Sequence, residues 1–188
     1  MPAPKKSRED VVELIGDVFR RHGYDGSSLA MISEATGLGR ASLYHYFPEG
    51  KEQMGREVFA WIATHVQRDL LDPLIGDGAP ADRLQAWTQG IHRFYEGGSK
   101  NCLLGAMVLS GGGDRYGQEI AGTLRELIRA LIRVLRDAGV PATQARRRAG
   151  SAVVVVQGAL VTARGLDDKK IFRQALEDLP DLLLRPTG

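Results

Sequence analysis

The sequence predicts an all-α fold, with a three-helix N-terminal head carrying a helix-turn-helix and a larger helical body. Three observations lead there. Apolar residues recur at helical spacing from Val11, Leu14, Ile15, Val18 and Phe19 almost to the end of the chain. Gly or Pro stands at break after break, as at Gly23, Gly37, Pro48, Pro73 and Gly165. The run Val153–Val156 alone favours a strand by local propensity, and no second run exists to pair with it.

Residues 1–6 form a basic, Pro-containing arm, which reads equally as a phosphate contact or as an idle terminus. Ser7 and Asp10 make a capping-box-like start, with Glu9 and Asp10 at the positive end of the first helix. Arg20, Arg21 and His22 suit its negative end, and Gly23 stops it. The next stretch, SSLAMISEATGLGRASLYHYFPEGK (residues 27–51), organises the rest. Ser27 or Ser28 can cap a short helix with Leu29 and Ile32 on its apolar side and Ala35 for a close crossing. Gly37 supplies the left-handed residue that ends it. A second short helix follows from Gly39 to Phe47. Leu43 and Phe47, four apart, turn inward and leave Arg40, Ser42, Tyr44 and His45 available to a partner. Such a pair forms a helix-turn-helix, whose second helix fits the DNA major groove.

Pro48 ends that second helix, since its ring cannot continue the ladder. From Lys51 to about Leu74, the residues Met54, Val58, Trp61, Ile62 and Val66 predict one long amphipathic helix joining head to body. Leu84, Trp87, Ile91, Phe94 and Tyr95 define the next helix, and Glu96–Ser99 reads as a plain loop. Cys102–Leu109 is a short apolar helix. Gly111-Gly112-Gly113 has neither a strand before it nor Lys-Ser/Thr after it, so it reads as a flexible connector and not a phosphate loop. Asp114–Gly139 is a long helix with Ile120, Leu124, Leu127, Ile128, Leu131 and Leu135 inward. Its row Arg125, Arg129 and Arg133 reads first as a solvated face and second as a DNA-facing one. Pro141 and Ala142 open a helix carrying Arg146-Arg147-Arg148, the four Val and the small residues Gly150, Ala152, Gly158 and Ala159. Asp167 or Asp168 caps the last helix, with Ile171, Phe172, Ala175, Leu176 and Leu179 inward and Leu182-Leu183-Leu184 at its end. Both final helices are apolar over a broad arc, as at a buried subunit interface.

The segment 27–51 resembles the DNA-binding segment of the TetR family of one-component bacterial repressors. The residues that carry the resemblance are Tyr24, Ser27-Ser28, Ile32, Gly37-Leu38, Leu43-Tyr44-His45-Tyr46-Phe47 and Lys51. The resemblance implies residues 1–50 as a DNA-binding head and 51–188 as a ligand-binding and dimerisation body. It implies phosphate contacts at Ser27, Ser28, Tyr44 and Lys51, and a dimer formed by the last two helices as a four-helix bundle. It also implies a small-molecule effector that binds the body and lowers affinity for palindromic operator DNA. The side chains Arg40, Ala41, Ser42 and His45 are then the candidates for base edges, Arg pairing bidentately with guanine and the Ala methyl touching thymine. Two departures stand out: Gly39 replaces the usual Ser or Thr cap, and His45-Tyr46 stands where Tyr-His is more usual. The Pro-x-Gly-Lys-Glu turn at Pro48–Glu52 is similar to a branch that includes multidrug-resistance repressors responding to aromatic compounds.

Composition sets the remaining bounds. The formal charge is +2, and residues 1–55 hold seven Lys/Arg against eight Asp/Glu, so the head is not basic overall. A DNA reading therefore depends on which face the cations Lys5, Lys6, Arg8, Arg40 and Lys51 occupy. One cysteine, Cys102, excludes an internal disulfide framework. The N-terminus has no signal-peptide core, and no apolar run approaches membrane-spanning length, so a cytoplasmic protein is expected. His22, His45, His65 and His92 have no metal-ligand spacing, and no nucleophile or dinucleotide motif occurs; no catalytic residue, cofactor or metal is expected. Trp61, Trp87, Phe94, Tyr95, Met107 and Tyr116 are the candidates for an apolar effector pocket. The alternative function is a helical enzyme or small-molecule binder with no DNA role.

Overall fold

Helix α1 (Arg8–Gly26) begins at a true capping box in the computed structural model, which describes residues 6–186. The Ser7 hydroxyl accepts from the Asp10 amide at 3.1 Å, and the Ser7 amide donates to the Asp10 carboxylate at 2.8 Å. Lys5 of the predicted basic arm lies outside the described residues. At Gly23 the backbone leaves the helical region (φ 69°, ψ 177°), and a turn carries the chain on to Gly26.

Helices α2 (Leu29–Thr36) and α3 (Arg40–Tyr46) follow, with Gly37 between them at φ 71°. Among the described residues all regular structure is helical, the Val153–Val156 run included. The predicted single helix from Lys51 to about Leu74 is not continuous. Helix α4 (Lys51–Val66) widens into a π-turn at Gln67–Leu71 and resumes as α5 (Asp72–Ile75). The reason is a close crossing: a Cβ added to Gly90 would lie 2.0 Å from the Asp69 carbonyl oxygen. A backbone that meets a neighbouring helix so tightly adjusts its own pitch there.

Helix α6 (Pro80–Phe94) leads into a short 3₁₀ turn, Glu96–Gly98, where a plain loop was expected. Gly98 (φ 95°) lies against the Phe172 ring. Helix α7 (Leu103–Val108) is followed by the triple glycine, which is not a loose connector. Gly112 and Gly113 already belong to α8 (Gly112–Asp137), and a Cβ on Gly111 would lie 1.8 Å from the Asp25 carboxylate. These glycines permit a tight approach between chain segments. Helix α8 is interrupted at Tyr116 (φ −121°, ψ 17°). Helices α9 (Ala142–Gly165) and α10 (Lys169–Leu184, capped by Asp168) complete the chain.

The chain divides into two compact units. One contains α1, α2, α3, α4 as far as Thr64, α7, and α8 as far as Ile120. Its interior holds Val11, Ile15, Phe19, Ile32, Leu43, Phe47, Met54, Val58 and Met107, none above 1% exposed. The other contains His65–Cys102 and the chain from Ala121 onward. Its interior holds Leu74, Leu84, Trp87, Ile91, Leu131, Leu135 and Phe172. There α10 packs on α9 and α6, and α9 turns mostly alanines (Ala145, Ala149, Ala152, Ala159, Ala163) inward, which permits close helix contact. Each large apolar side chain so buried contributes roughly 1.5–3 kcal/mol.

Gly90→Ala is expected to lower stability by about 1–3 kcal/mol, because the new methyl must displace the Asp69 backbone. Urea unfolding checks this. Gly122→Ala in α8, where nothing lies within 4 Å, serves as the control and should be neutral or mildly stabilising.

Candidate nucleic-acid interface

Helix α2 packs on α1, and α3 packs on α2. The turn between α2 and α3 is tied by side chains. Ser33 Oγ donates to Leu38 O at 2.6 Å, Thr36 Oγ1 donates to Ile32 O at 2.7 Å, and Lys6 Nζ donates to Thr36 O at 2.7 Å. Helix α3 buries Leu43, and Phe47 follows it into the core at 0% exposure. Arg40, Ala41, Ser42, Tyr44 and His45 are all exposed, so the side chains expected to read DNA share the solvent side of this helix. The Arg40 guanidinium stands 6.0 Å from the Tyr44 ring centroid.

The expected phosphate contacts divide. Ser28 is exposed and accepts from the Met31 amide at 3.2 Å, capping α2. Ser27 is fully buried, and its hydroxyl donates to Gly23 O at 2.5 Å, closing the turn after α1. Lys51 is half-buried, its ammonium 4.6 Å from the Tyr24 ring centroid. Burial pushes the Lys51 pKa down, Asp25 opposes the shift and Arg115 adds to it.

Beneath Lys51 lies an aromatic group that the sequence reading assigned elsewhere. The Tyr116 ring is 5.5 Å from Tyr24 and 4.7 Å from Phe59, and its hydroxyl donates to Glu52 O at 3.1 Å. Gly55 gives it room, since a Cβ there would lie 2.1 Å from the phenol oxygen. Burial, with a hydrogen bond to Tyr24, raises the Tyr116 pKa well above the ordinary tyrosine range. Trp61, Met107 and Tyr116 belong to the first unit, and Trp87, Phe94 and Tyr95 to the second. Phe94 and Tyr95 meet edge to face at 4.9 Å, and the Trp87 indole N–H is buried without an acceptor. The groove between α6 and α10, about 530 Å³, is lined by Gln85, Thr88, His92, Arg173, Glu177 and Asp181 among others, and by none of those six. No cluster of three or more His, Cys, Asp or Glu able to hold a metal occurs among the described residues. None of their helices is long and apolar enough to cross a membrane.

Sequence reasoning missed two groups at this site. Arg8 and Glu57, 49 positions apart, form an ion pair at 2.6 Å beside the end of α3. Ser110 receives the Tyr24 amide at its hydroxyl (2.8 Å) and the Asp25 amide at its carbonyl (3.2 Å), fixing α7 to the end of α1. The Gly23 and Gly111 positions were the available signal for the second group, because glycines flanking a contact permit close approach.

Residues 16–58 match the family model for bacterial regulatory proteins of the tetR family. Residues 80–178 match the C-terminal domain of LmrA/YxaF-like transcriptional regulators. The HTH-type transcriptional regulator LmrA of Bacillus subtilis (strain 168) is 29% identical over 85 residues, 45% of each chain. The matched segment thus spans less than half the length of that curated relative. A TetR transcriptional regulator from Legionella pneumophila superposes with a TM-score of 0.79 at 21% identity, covering 94% of this chain and 97% of that one. A cysteine mutant of the TetR family regulator CifR, whose structure includes a 26bp operator DNA, gives 0.74 at 22% identity and covers 98% and 100%. At these identities the structural likeness concerns the fold.

Tyr116→Phe should cost about 1 kcal/mol at neutral pH through the lost hydrogen bond to Glu52. A raised folded-state pKa stabilises the fold fully below the unfolded tyrosine value of about 10 and ceases to do so as pH rises through the folded value. Wild-type stability is therefore expected to fall more steeply above about pH 10 than that of Tyr116→Phe. Urea midpoints between pH 8 and pH 11 measure both effects.

Proposed function

Because the chain belongs to the TetR family of bacterial regulatory proteins, with a C-terminal domain of the LmrA/YxaF-like regulators, we propose that it is a homodimeric repressor that binds palindromic operator DNA and is released by a small hydrophobic or aromatic effector. Its family is one of transcriptional regulators and not of enzymes, which removes the helical-enzyme alternative. The place of action is the cytoplasm, where the operator is.

The observation that carries the reading is the division of α3. Leu43 is 1% exposed, while Arg40, Ala41, Ser42, Tyr44 and His45 face solvent on a helix whose partners are already packed. Arg40, Ser42 and His45 carry base recognition and Ala41 meets a thymine methyl, while Ser28, Tyr44 and Lys51 hold phosphates. Ser27 supports them from inside by fixing the turn after α1.

The dimer uses the outer side of α9. Val154 and Val161 are 70% and 73% exposed, seven residues apart, and Ser151, Gly158 and Gly165 repeat at the same interval beside them. That pattern offers ridges and hollows to a second copy. Leu182 on α10, 38% exposed, extends the apolar surface. For the effector, Trp87 and Tyr95 are core residues and Phe94 is half-buried; a pocket opening within the second unit would expose them, and the unpartnered Trp87 N–H would then take an acceptor on the ligand. Release requires the effector to favour the form that does not bind DNA, with a coupling of typically about 1–3 kcal/mol.

Arg40→Ala should weaken binding to a duplex selected from a random pool by tenfold or more and change binding to unselected duplex little. Fluorescence anisotropy on both duplexes reads this, and equal losses would move Arg40 to the phosphates. Wild-type protein should scatter light as twice the 20.5 kDa chain, and Val161→Asp as the single chain with its helicity retained. A monomeric wild type at micromolar concentration would remove the dimer.

A further inference from the structure

Ser7 caps α1 between two cations, Lys6 and Arg8, that open the described chain. The sequence placed both on a possible DNA-facing side. The structure engages both on carbonyls at the ends of the helix-turn-helix pair. Lys6 Nζ donates to Thr36 O, in the last residue of α2, at 2.7 Å. Arg8 Nη2 donates to Tyr46 O, in the last residue of α3, at 3.0 Å. The same guanidinium grips Glu57 of α4 with Nε (2.9 Å) and Nη2 (2.6 Å), and lies 5.0 Å from the Phe47 ring centroid. Glu57 also accepts from Gln53 Nε2 at 2.9 Å, and Gln53 Oε1 accepts from the Glu49 amide in the turn after α3 at 3.1 Å.

We infer that Arg8 is a positioning residue for DNA recognition: held by Glu57, it fixes the C-terminal end of α3 and does not itself contact phosphate. The inference rests on the DNA-binding reading above, but its physical core concerns the free protein. Helix α3 has seven residues, its N-cap Gly39 makes no side-chain bond, and of its residues Leu43 alone is buried. So short a helix has no independent stability, so its orientation depends on what holds its two ends. Leu43 and Phe47 fix its inner side. A planar fork that meets a carboxylate and a helix-terminal carbonyl together fixes its tilt. A cation at that carbonyl also opposes the negative end of the helix dipole. Glu57 marks the difference from a phosphate contact. A carboxylate 2.6 Å from the guanidinium directs Arg8 to the protein and repels a phosphate from the same place.

The test uses the full-length chain with Arg8→Ala, Arg8→Lys and Glu57→Gln, each checked for helicity. In the DNA-free protein, hydrogen exchange at the Phe47 and Gly50 amides, which close the end of α3 and its turn, should accelerate at least fivefold in Arg8→Ala and Glu57→Gln. Exchange at Ile32 in α2 should stay within twofold. On the duplex selected by wild-type protein, all three variants should lose affinity, Arg8→Ala about tenfold, with the slope against log salt unchanged. Arg8→Lys keeps the charge but cannot hold Glu57 and Tyr46 O in one fork, so it should recover only part of the loss. If Arg8 touches phosphate, Arg8→Ala flattens the salt slope by about one unit, Arg8→Lys restores binding, and Glu57→Gln tightens it. That set of results overturns the inference. Unchanged exchange at Phe47 and Gly50 overturns it also, whether or not any duplex is bound. Accelerated exchange in a protein that binds no duplex would sustain the clamp and reject the repressor reading instead.

Discussion

The first unit is arranged around a helix too short to exist by itself. Helix α3 spans Arg40–Tyr46, and two turns cannot recover the cost of nucleation in water. Its conformation is imposed from outside by the burial of Leu43 and Phe47, by Gly37 in a left-handed conformation before it, and by Gly50 at φ 67° after it. This constraint explains why so many side chains nearby serve backbone atoms. Ser27, Ser33, Thr36, Lys6 and Arg8 each bond a main-chain group in or beside the helix-turn-helix. A recognition helix held from behind leaves its outer side chains unencumbered, and that is the condition for reading base edges.

The same economy of space governs the join between α1 and α7. Gly23 lies so close to Ser110, and Gly111 so close to Asp25, that no other residue fits without displacement. The backbone contacts they allow, Tyr24 N to Ser110 Oγ and Asp25 N to Ser110 O, place the end of α1 in register with α7. Tyr116 adds a third tie by reaching the Glu52 carbonyl at the start of α4. The segment Leu103–Ile120, remote in sequence, is therefore part of the unit that carries α3. A change in the path of α7 or the start of α8 acts directly on the turns that follow α1.

Much of this was legible in the sequence wherever the signal was local. The capping box at Ser7, the Ser28 cap, the left-handed Gly37 and the inward pair Leu43 and Phe47 each depend on residues within one or two turns. The four valines read as helix because their flanks continue the helical register. What escaped depends on contacts between distant residues. The π-turn at Gln67–Leu71 follows from Gly90 pressing on Asp69, and nothing in the local sequence announces it. The triple glycine looked like slack and is a close contact, because composition cannot distinguish freedom from lack of room. Tyr116 was grouped with the apolar pocket by its type alone, yet it bonds beneath Lys51. Ser27 and Ser28 look interchangeable in sequence, but one faces inward and the other caps a helix.

Charge placement gives the remaining link between head and dimer. Several cations of the first unit are matched within it: Arg8 with Glu57, Arg20 with Asp17, and Arg56 with Glu49 and Glu52. Arg40, by contrast, is exposed on α3, and Lys51 stands at the start of α4 above the Tyr24 ring. Sequence-independent affinity for DNA scales with the number of phosphates neutralised, so one head of this kind binds any duplex weakly. Tight binding then requires two heads on two half-sites, each raising the effective concentration of the other. The neutral balance of the head, which at first counts against a DNA-binding reading, is thus the property that makes the proposed dimer necessary. On the proposed reading, the same property is what lets an effector act by disturbing the pairing of two heads.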